Sequence, residues 1–529
     1  MDIVFKGARV VDGTGAPEHR ADVGVRDGRI AEIGDRLSGG RTVDADGLVL
    51  APGFIDMHSH SDLQVLANPD HLAKVSQGVT SEVLGQDGLS YAPVDDAVLE
   101  TLRGQLAGWN DDPPGFDWNW RSVGEYLDRL DRGIAVNAAY LVPQGTVRML
   151  CVGWEDRPAT DAEVDRMRTV VARSLREGAV GLSSGLTYTP GMYASTSELV
   201  QLCQVTGSLG GYYSPHHRSY GAGALEAYAE MVQVSLDSGC PLHLAHATMN
   251  FPVNEGRAGE LLTLLDDAIA AGADISLDTY PYLPGATYLS ALLPSWATEG
   301  GPEATLARLS DADARERIRV EIEETGSDGC HGVPVDWNSI EINGVRRAEN
   351  AHLVGRSVAA SATSAGRAAS EVYFDTLVAE RLGTSCLMHV GHEGNVQAIM
   401  RHPAHTGGSD GLLVGDRPHP RAWGTFPRYL ARYVRELGVL GLEDCVSHLT
   451  GRAAKRLRLT DRGLVREGYA ADLVLFDPEE VADTATFDKP RQAAAGIPYV
   501  LVNGVPVIDG GTHTGALPGH SLRNNGSTM

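Results

Sequence analysis

A pair of histidines at the end of an apolar segment is the strongest chemical signal in this sequence. His58 and His60 close the segment 52–60, which spells PGFIDMHSH. Because alternate side chains of an extended strand share one face, both imidazoles can point at the same cation. Further residues of metal-ligand type follow at later predicted strand ends, namely Asp87, His216, His246 and Asp410. We therefore predict a metal-dependent hydrolase.

Two of these histidines have close competitors. His217 directly follows His216, and only one of two adjacent side chains can face the site as a strand ends. We choose His216 and keep His217 as the alternative. His243 lies three residues before His246, so the two side chains point to opposite faces of the strand. We expect His246 to be the ligand and His243 to pack or to support a ligand.

The two aspartates each have a simpler interpretation. Asp410 lies in 407–411, GGSDG, and Asp87 lies in 85–88, GQDG, and Asp-Gly is common in plain turns. Their places after predicted strands favour a role in chemistry. Asp410 could bind metal and also accept the proton of an activated water as general base. Asp87 could supply a carboxylate that bridges two ions.

The mixture of imidazole and carboxylate groups predicts the metal. Such a site suits one or two zinc ions, which would lower the pKa of bound water towards neutrality. Iron, manganese and cobalt also accept mixed nitrogen and oxygen donors.

A cationic anchor is predicted just beyond the last candidate ligand. Arg421 lies in 419–428, HPRAWGTFPR, and a guanidinium can form a bidentate pair with a substrate carboxylate. The alternative is an ordinary surface arginine.

The elements that must position these side chains alternate short apolar strands with helical stretches, which is typical of a (β/α)8 barrel of the TIM type. The clearest predicted helices run from Asp161 to Glu177 and from Leu225 to Ser238. Catalytic groups of such barrels gather at the carboxyl ends of the strands, where the candidate ligands lie. The predicted strands are near 51–57, 79–85, 134–142, 179–183, 210–215, 241–245, 273–279 and 404–409.

Both ends of the chain are rich in short strands and Asp-Gly turns, which indicates that they meet in one small β-domain. We predict that residues 1–50 and 455–529 form this β-sandwich and that 51–454 form the barrel. An inserted subdomain at about 283–356 interrupts the barrel with proline, glycine and charge clusters. We expect the last dozen or so residues to be a disordered tail.

Composition limits the partners and the compartment. The chain has 529 residues and a formal net charge of −25, which repels phosphate backbones, so we expect no nucleic-acid partner. Six scattered cysteines form no C-x-x-C pair, which favours a reduced, cytoplasmic environment. With no apolar run of about 18 residues and no signal-peptide pattern, we expect no membrane association. The oligomeric state stays open.

The motifs together resemble the amidohydrolase superfamily and, within it, the N-acyl-D-amino-acid deacylases, or D-aminoacylases. The similarity runs nearly end to end, and its last motif is the most specific to the deacylases. The motifs are APGFIDMHSHSD at 51–62, GLSSGLTY at 181–188, DTYPY at 278–282, GSDG at 408–411 and HPRAWGTFPR at 419–428.

The resemblance implies an activity and assigns roles to residues. It implies hydrolysis of the amide bond of a small N-acyl-D-amino acid, with an insertion over the site. It implies substrate-carboxylate recognition by Arg421 and places Tyr280 near the substrate. The metal ligands that it implies are His58, His60, His216, His246 and Asp410.

This sequence departs from the family pattern at three positions. The family usually has a metal-bridging cysteine where this chain has Asp87, a lysine where it has Thr248, and a serine where it has Ala286. The lysine and serine are expected to contact substrate, so their loss implies a different acyl group or amino acid. Two alternatives therefore stay open: an amidohydrolase acting on a cyclic amide or imide or deacetylating a metabolite, and a non-catalytic protein on a degenerate scaffold.

Overall fold

The computed structural model describes residues 1–524 and begins with short strands joined by tight turns. Asp27 and Gly28 both have positive φ, 50° and 76°, which is the geometry that Asp-Gly favours in a two-residue hairpin. This turn joins the second and third strands. The strands are β1 (Ile3–Val10), β2 (His19–Arg26), β3 (Arg29–Gly34), β4 (Arg41–Asp44) and β5 (Val49–Pro52).

The barrel strands lie where the sequence predicts them and are buried along their whole lengths. Continuous burial is expected of parallel strands that are covered on both faces. The strands before the insertion are β6 (Phe54–Asp56), β7 (Val79–Leu84), β8 (Asn137–Pro143), β9 (Gly181–Gly185), β10 (Tyr212–His216), β11 (Leu242–Leu244) and β12 (Ile275–Thr279).

The helices between these strands have clear local signals. In the helix Asp161–Arg176, Thr160 and Glu163 form a capping box, and one face buries Met167 and Val171, as an amphipathic helix requires. Both helices expected from the sequence are therefore present. The helices are α1 (Gln64–Ala67), α2 (Leu72–Val75), α3 (Asp96–Gln105), α4 (Ala107–Asn110), α5 (Val123–Leu130), α6 (Gln144–Cys151), α7 (Asp161–Arg176), α8 (Thr196–Ser208), α9 (Ala224–Ser238) and α10 (Ala258–Ala270).

The insertion folds around its own apolar core and a small antiparallel sheet, β13 (Gly285–Tyr288), β14 (Ile340–Gly344), β15 (Arg356–Ser357) and β16 (Ser385–Met388). The strand β16 pairs with both β13 and β14, so the inserted fold continues beyond the predicted residue 356. Composition identifies only the proline- and charge-rich part of the insertion. It does not identify the short buried strand β16, which completes the sheet. The helices are α11 (Ser295–Thr298), α12 (Pro302–Leu309), α13 (Ala312–Val320), α14 (Val358–Ala365) and α15 (Ala369–Ala379).

The last barrel strand closes the ring. Within residues 1–524, eight parallel strands run in the order β6 to β12 followed by β17 (His405–Gly407). The amide of Met57 donates to the carbonyl of Gly407 at 3.0 Å, and the amide of Asp410 donates to the carbonyl of His58 at 2.8 Å. This confirms the predicted (β/α)8 barrel. Helix α16 (Glu393–Met400) precedes β17, and α17 (Arg421–Arg428), a π-helical turn (Tyr429–Glu436), α18 (Leu442–Leu449) and α19 (Gly451–Arg456) follow it.

The C-terminal strands complete the terminal sheet. Strand β18 (Leu473–Phe476) pairs antiparallel with β5, and β19 (Tyr499–Val502), β20 (Val505–Asp509) and β21 (Thr512–His513) extend the sheet. Strands from both ends of the chain therefore share one sheet domain, as predicted. None of the helices in residues 1–524 combines the length and apolar character needed to cross a membrane.

The end of the chain differs from the expected disordered tail. Gly519 and Ser521 form bridges with Ile134, just before barrel strand β8, and with Ala138 in that strand, so the prediction is wrong for residues 518–524. The reason is that backbone pairing with a distant segment leaves no local sequence signature. Residues 525–529, the rest of the predicted tail, lie outside the described part of the chain.

Candidate metal centre

The candidate ligands converge at the carboxyl ends of five barrel strands. His58 and His60 follow β6, and Asp87 follows β7 in a short 3-10 turn, Gln86–Gly88. His216 is the last residue of β10, and His246 lies two residues beyond β11. Asp410 follows β17 in the loop that closes the barrel. All six side chains are buried.

Three of these residues have a backbone conformation that side chains rarely adopt. The φ angles of Asp87, His246 and Asp410 are 53°, 30° and 48°. A non-glycine residue at positive φ is held there by its surroundings, and such residues cluster at functional sites. The turns therefore aim these side chains into the barrel mouth at a conformational cost.

One group of donor atoms comes from the first, second and eighth strands. The Nε2 atoms of His58 and His60 are 3.3 Å apart. Asp410 Oδ1 lies 3.1 Å from Nε2 of His60 and 3.8 Å from Nε2 of His58. Together with Asp87, these residues offer donor atoms that all lie within 4.8 Å of one another, which is compact enough to hold one cation.

A second group shares the same aspartate. Nδ1 of His216 and Nε2 of His246 are 3.0 Å apart, and both residues form a cluster with Asp87. The Asp87 carboxylate lies 3.4 or 3.5 Å from a ring nitrogen of each of the four histidines, His58, His60, His216 and His246. Its central position fits a carboxylate that bridges two cations.

The donors present fit a bound divalent metal. Among the described residues, Oδ1 of Asp87 and Nδ1 of His58 are buried without a hydrogen-bond partner. A buried polar atom without a partner is costly. A cation next to the Asp87 carboxylate removes this cost for the oxygen, and imidazole and carboxylate are the ligands that zinc uses.

The charges in the site favour ionised carboxylates. Burial alone would raise the pKa of Asp87, but the charges of His246, His58 and His216 lower it well below its ordinary value. Burial alone would lower the pKa of His60, but hydrogen bonds to Asp410 and Asp87 raise it to about 10. The carboxylates are therefore available as acceptors and ligands at neutral pH.

Neighbouring polar groups hold the histidines in position. Asp278, at the end of the seventh strand, lies 3.6 Å from Nδ1 of His58 and accepts the backbone amide of His246 at 3.0 Å. Nε2 of His243 lies 3.1 Å from the same carboxylate, so His243 has the supporting place expected for it. Such contacts fix the orientation of metal-binding imidazoles.

Two further supports were not predicted from the sequence. The hydroxyl of Tyr220 lies 3.0 Å from Nδ1 of His246, and Oγ1 of Thr187 lies 2.7 Å from Nε2 of His216. Both residues are in loops, where a single hydroxyl carries no pattern. Asp278 was within reach of sequence analysis because it ends a strand, as the candidate ligands do.

The alternative histidine, His217, faces away from the cluster. It is fully buried against the rings of Tyr220 and Tyr228, 4.1 and 3.9 Å from their centroids. Burial, together with the charges of nearby histidines, lowers its pKa well below the ordinary value. The structure therefore brings His216, rather than His217, to the other candidate ligands.

The predicted carboxylate anchor lies directly behind Asp410. Nη2 of Arg421 donates to Oδ2 of Asp410 at 2.8 Å, and Cζ lies 4.4 Å from the centroid of the Tyr280 ring. The side chain is fully buried, and its Nε and Nη1 have no hydrogen-bond partner within residues 1–524. Arg421 is therefore not the surface arginine that was the alternative.

The cavity above the donors is small. It measures about 70 Å³, and Tyr280, Thr248 and Ala286 line it, as do the candidate ligands His60, Asp87, His216, His246 and Asp410. Thr248, where the family resemblance implies a lysine, donates from Oγ1 to Oδ1 of Asn250 at 2.6 Å.

Comparison with known proteins identifies relatives along the whole chain. A sequence model described as the amidohydrolase family matches residues 41–508. The chain is 35% identical over 525 residues to a D-aminoacylase of Alcaligenes xylosoxydans xylosoxydans. The alignment covers 99% of this chain and 97% of that protein. It is 36% identical over 533 residues to an N-acyl-D-aspartate deacylase of the same organism, covering 98% and 95%.

A solved structure shares the fold. The crystal structure of N-acyl-D-glutamate deacylase from Bordetella bronchiseptica, complexed with zinc and a phosphonate inhibitor, superimposes with a TM-score of 0.84. The two chains are 32% identical, and the match covers 99% of each.

Proposed function

This chain belongs to the amidohydrolase family, and on that premise we propose that it hydrolyses the amide bond of N-acyl-D-amino acids to a carboxylate and a free D-amino acid. The observation that carries the proposal is the convergence of four histidines and two aspartates, with the Asp87 carboxylate 3.4–3.5 Å from all four rings. The named relatives act on N-acyl-D-amino acids, which supports the same substrate class here.

The residues that would hold the metal are His58, His60, His216, His246 and Asp410, with Asp87 between them. One or two divalent ions, with zinc the first candidate, would polarise the amide carbonyl and lower the pKa of a water molecule in this site. The two clusters that share Asp87 support two ions.

Asp410 is the proposed general base. The charge of Arg421, with the hydrogen bond to His60 and the charge of His58, outweighs burial and keeps the pKa of Asp410 below its ordinary value. The group is therefore a carboxylate that can accept the proton of the attacking water and return it to the departing amine nitrogen.

Arg421 and Tyr280 are proposed to position the substrate. The Nε and Nη1 atoms of Arg421 have no partner within residues 1–524, so the guanidinium keeps charged donors from which a substrate carboxylate can accept a hydrogen bond. Tyr280 lies against the guanidinium and lines the cavity, so it can order the groups next to the reacting amide.

A substrate panel on metal-analysed protein tests the proposal. We expect release of the amino acid from N-acetyl-D-amino acids, with N-acetyl-L-amino acids turned over much more slowly, by protein that contains a divalent metal. The loss of the family lysine at Thr248 and serine at Ala286 motivates a second candidate, hydrolysis of a cyclic amide or imide or deacetylation of a metabolite. No turnover of any N-acetylamino acid, with turnover of a hydantoin or an acetylated metabolite, would favour the second candidate.

We also propose a cytoplasmic location. All six cysteines lie within residues 1–524 and are free thiols there, and most are buried, which fits a reducing compartment.

A further inference from the structure

A second, larger cavity adjoins the metal centre. It measures about 370 Å³, and it shares two lining residues, Thr187 and Ala291, with the cavity above the donors. Thr187 also contacts the candidate ligand His216 at 2.7 Å. The two spaces therefore share part of their wall at the edge of the site.

The cavity above the donors is too small to hold a whole substrate. Its volume is about 70 Å³, whereas pockets for small organic ligands measure about 300–1,000 Å³. The volume of the second cavity falls in that range. A substrate longer than the reacting amide and its carboxylate must therefore extend into a neighbouring space.

The order of the strands indicates which end of the substrate extends there. Tyr280 and Arg421, the proposed carboxylate side, follow the seventh and eighth barrel strands, β12 and β17. Thr187 lies two residues beyond β9, the fourth strand in the ring. In a closed ring of this size the fourth and eighth strands face each other across the mouth. With the carboxylate on one side and the amide over the metal, the acyl group points to the other side.

An aromatic wall leads from the metal centre to the second cavity. The ring of Trp109 lies 4.7 Å from that of His60 and 5.4 Å from that of Tyr288. Tyr188 packs 4.8 Å from His216 and 5.1 Å from Tyr288. Tyr288 in turn lines the second cavity. An aliphatic chain that packs against these rings is removed from water, which is favourable, and the rings place no charged group against it.

The lining of the second cavity suits a neutral chain. Apolar side chains such as Leu293, Leu306 and Met192 line it together with threonine and serine hydroxyls. The charged residues of the lining are exposed, so they stand at the solvent end, where Arg381 pairs with Glu303. Nothing in the described lining offers a buried charge to an anionic or cationic group.

We propose that this second cavity is the binding site for the acyl group and that it accepts aliphatic acyl chains of medium length rather than acetyl alone. The inference rests on the proposed deacylase function and specifies its substrate class. Each pair of methylene groups that enters the cavity is expected to raise kcat/KM about tenfold, until the chain reaches solvent.

The experiment varies the acyl chain and one side chain of the cavity. We compare N-acetyl-, N-butanoyl-, N-hexanoyl- and N-octanoyl-D-leucine with the metal-loaded wild type, Leu306→Trp and Leu236→Trp. Leu306 is partly buried and lines the second cavity but not the cavity above the donors, so tryptophan is expected to fill the second cavity. Leu236 is a matched control because it lies on helix α9 and is 44% exposed.

We expect kcat/KM of the wild type and of Leu236→Trp to rise along the series. In Leu306→Trp the ratio of the octanoyl to the acetyl value should fall at least tenfold. As a readout that needs no variant, octanoate should inhibit the wild type competitively at lower concentration than acetate. The acyl-site proposal is wrong if the wild type turns over the acetyl substrate but gains nothing from a longer chain, or if the ratio is unchanged in Leu306→Trp. Either result leaves the proposed deacylase function intact.

Two further outcomes separate the alternatives. If Leu306→Trp instead changes the preference between N-acetyl-D-alanine and N-acetyl-D-norleucine, the cavity takes the amino-acid side chain and the proposal is wrong. If no N-acyl amino acid is turned over, acetyl included, the proposed deacylase function fails and the acyl site with it.

Discussion

At the scale of single residues, the proposed general base Asp410 offers the most direct test of the proposed chemistry. Asp410→Asn keeps the size and one oxygen of the side chain but removes the group that accepts a proton. We expect kcat to fall about 10²- to 10⁴-fold when variant and wild type are compared at the same measured metal content, because Asp410 is also a proposed ligand. Asp416→Asn, an exposed aspartate six residues later, is the matched control. Deacylation by Asp410→Asn at nearly the wild-type rate would contradict the base assignment.

Asp87 stands where the family resemblance implies a cysteine, and it is the residue that the two candidate metal clusters share. Its carboxylate lies 3.4–3.5 Å from four imidazoles, so Asp87→Asn removes the only charge shared by the two clusters. We expect metal quantification to show a loss of about one equivalent. Asp87→Cys should keep two ions and prefer zinc over manganese more strongly, because thiolate is a softer ligand. Unchanged metal content in Asp87→Asn would show that Asp87 does not bridge.

The residue types at these positions were accessible to sequence analysis, but their supports were not. His58, His60, His216, His246 and Asp410 are found together because alternation along a strand and the barrel topology place them at one rim. Tyr220 and Thr187 hold two of these rings from loops. A hydroxyl in a loop has no periodicity, so only the folded chain shows which imidazole it meets.

At the scale of elements, buried ion pairs fasten the first helices to the strands beneath the site. Lys74 in α2 donates to Asp56 in β6 at 2.5 Å and to Ser409 at 2.9 Å. His71, just before α2, contacts Glu82 in β7 at 3.0 Å. These contacts tie the first, second and eighth strands together below the histidine pair.

Glu82 gives this network a pH dependence. Burial alone would raise its pKa, but His71 and Lys74 lower it from 4.5 to about 2. A folded-state pKa below the unfolded value means that the ionised group stabilises the fold above about pH 4.5, and that this stability is lost as the pH falls towards 2.

The variant Glu82→Gln tests this dependence. We expect it to lower the free energy of unfolding by about 3–5 kcal/mol at pH 7, because a buried pair loses one partner. The difference from wild type should shrink in denaturation curves recorded below pH 4.5. Glu32→Gln, on the exposed side of β3, should have no effect. A difference that is constant from pH 7 to pH 3 would show that the carboxylate charge does not matter.

The positions of strands and helices were predicted better than the pairing between distant strands. The alternation of apolar strands and helical stretches predicts all eight barrel strands and the helices α7 and α9. The insertion is different, because β16 lies beyond the stretch of unusual composition and joins β13 and β14 by long-range pairing. Composition shows where a chain stops following one pattern, but it does not show which distant strand completes a sheet.

At the scale of the whole molecule, the end of the chain packs against the barrel. A Cβ atom added to Gly519 would lie 2.0 Å from the carbonyl oxygen of Val136. We expect Gly519→Ala to lower the stability by about 1–3 kcal/mol, as overpacking does, and to lower Tm in thermal melts. Gly441→Ala is the control, because nothing lies within 4 Å of its Cβ position. Equal melting temperatures for both variants would contradict the close approach.

The insertion shapes the cavities in which substrate is proposed to bind. It covers the barrel mouth and contributes Ala286, Ala291 and Leu306 to the cavities at the site. A change in the insertion can therefore alter the shape of both cavities without changing the donors on the strands.

The sequence by itself contains patterns that depend on neighbouring residues or on topology. These are the alternation of side chains along strands, the order of strands and helices, and the gathering of barrel chemistry at one rim. They were enough to predict the barrel and to nominate the six donors. The central place of Asp87, the turns at positive φ and the second cavity depend on how segments far apart in the chain pack together. Those distances are set by side-chain volumes and contacts across the whole core, and no short stretch of sequence contains them.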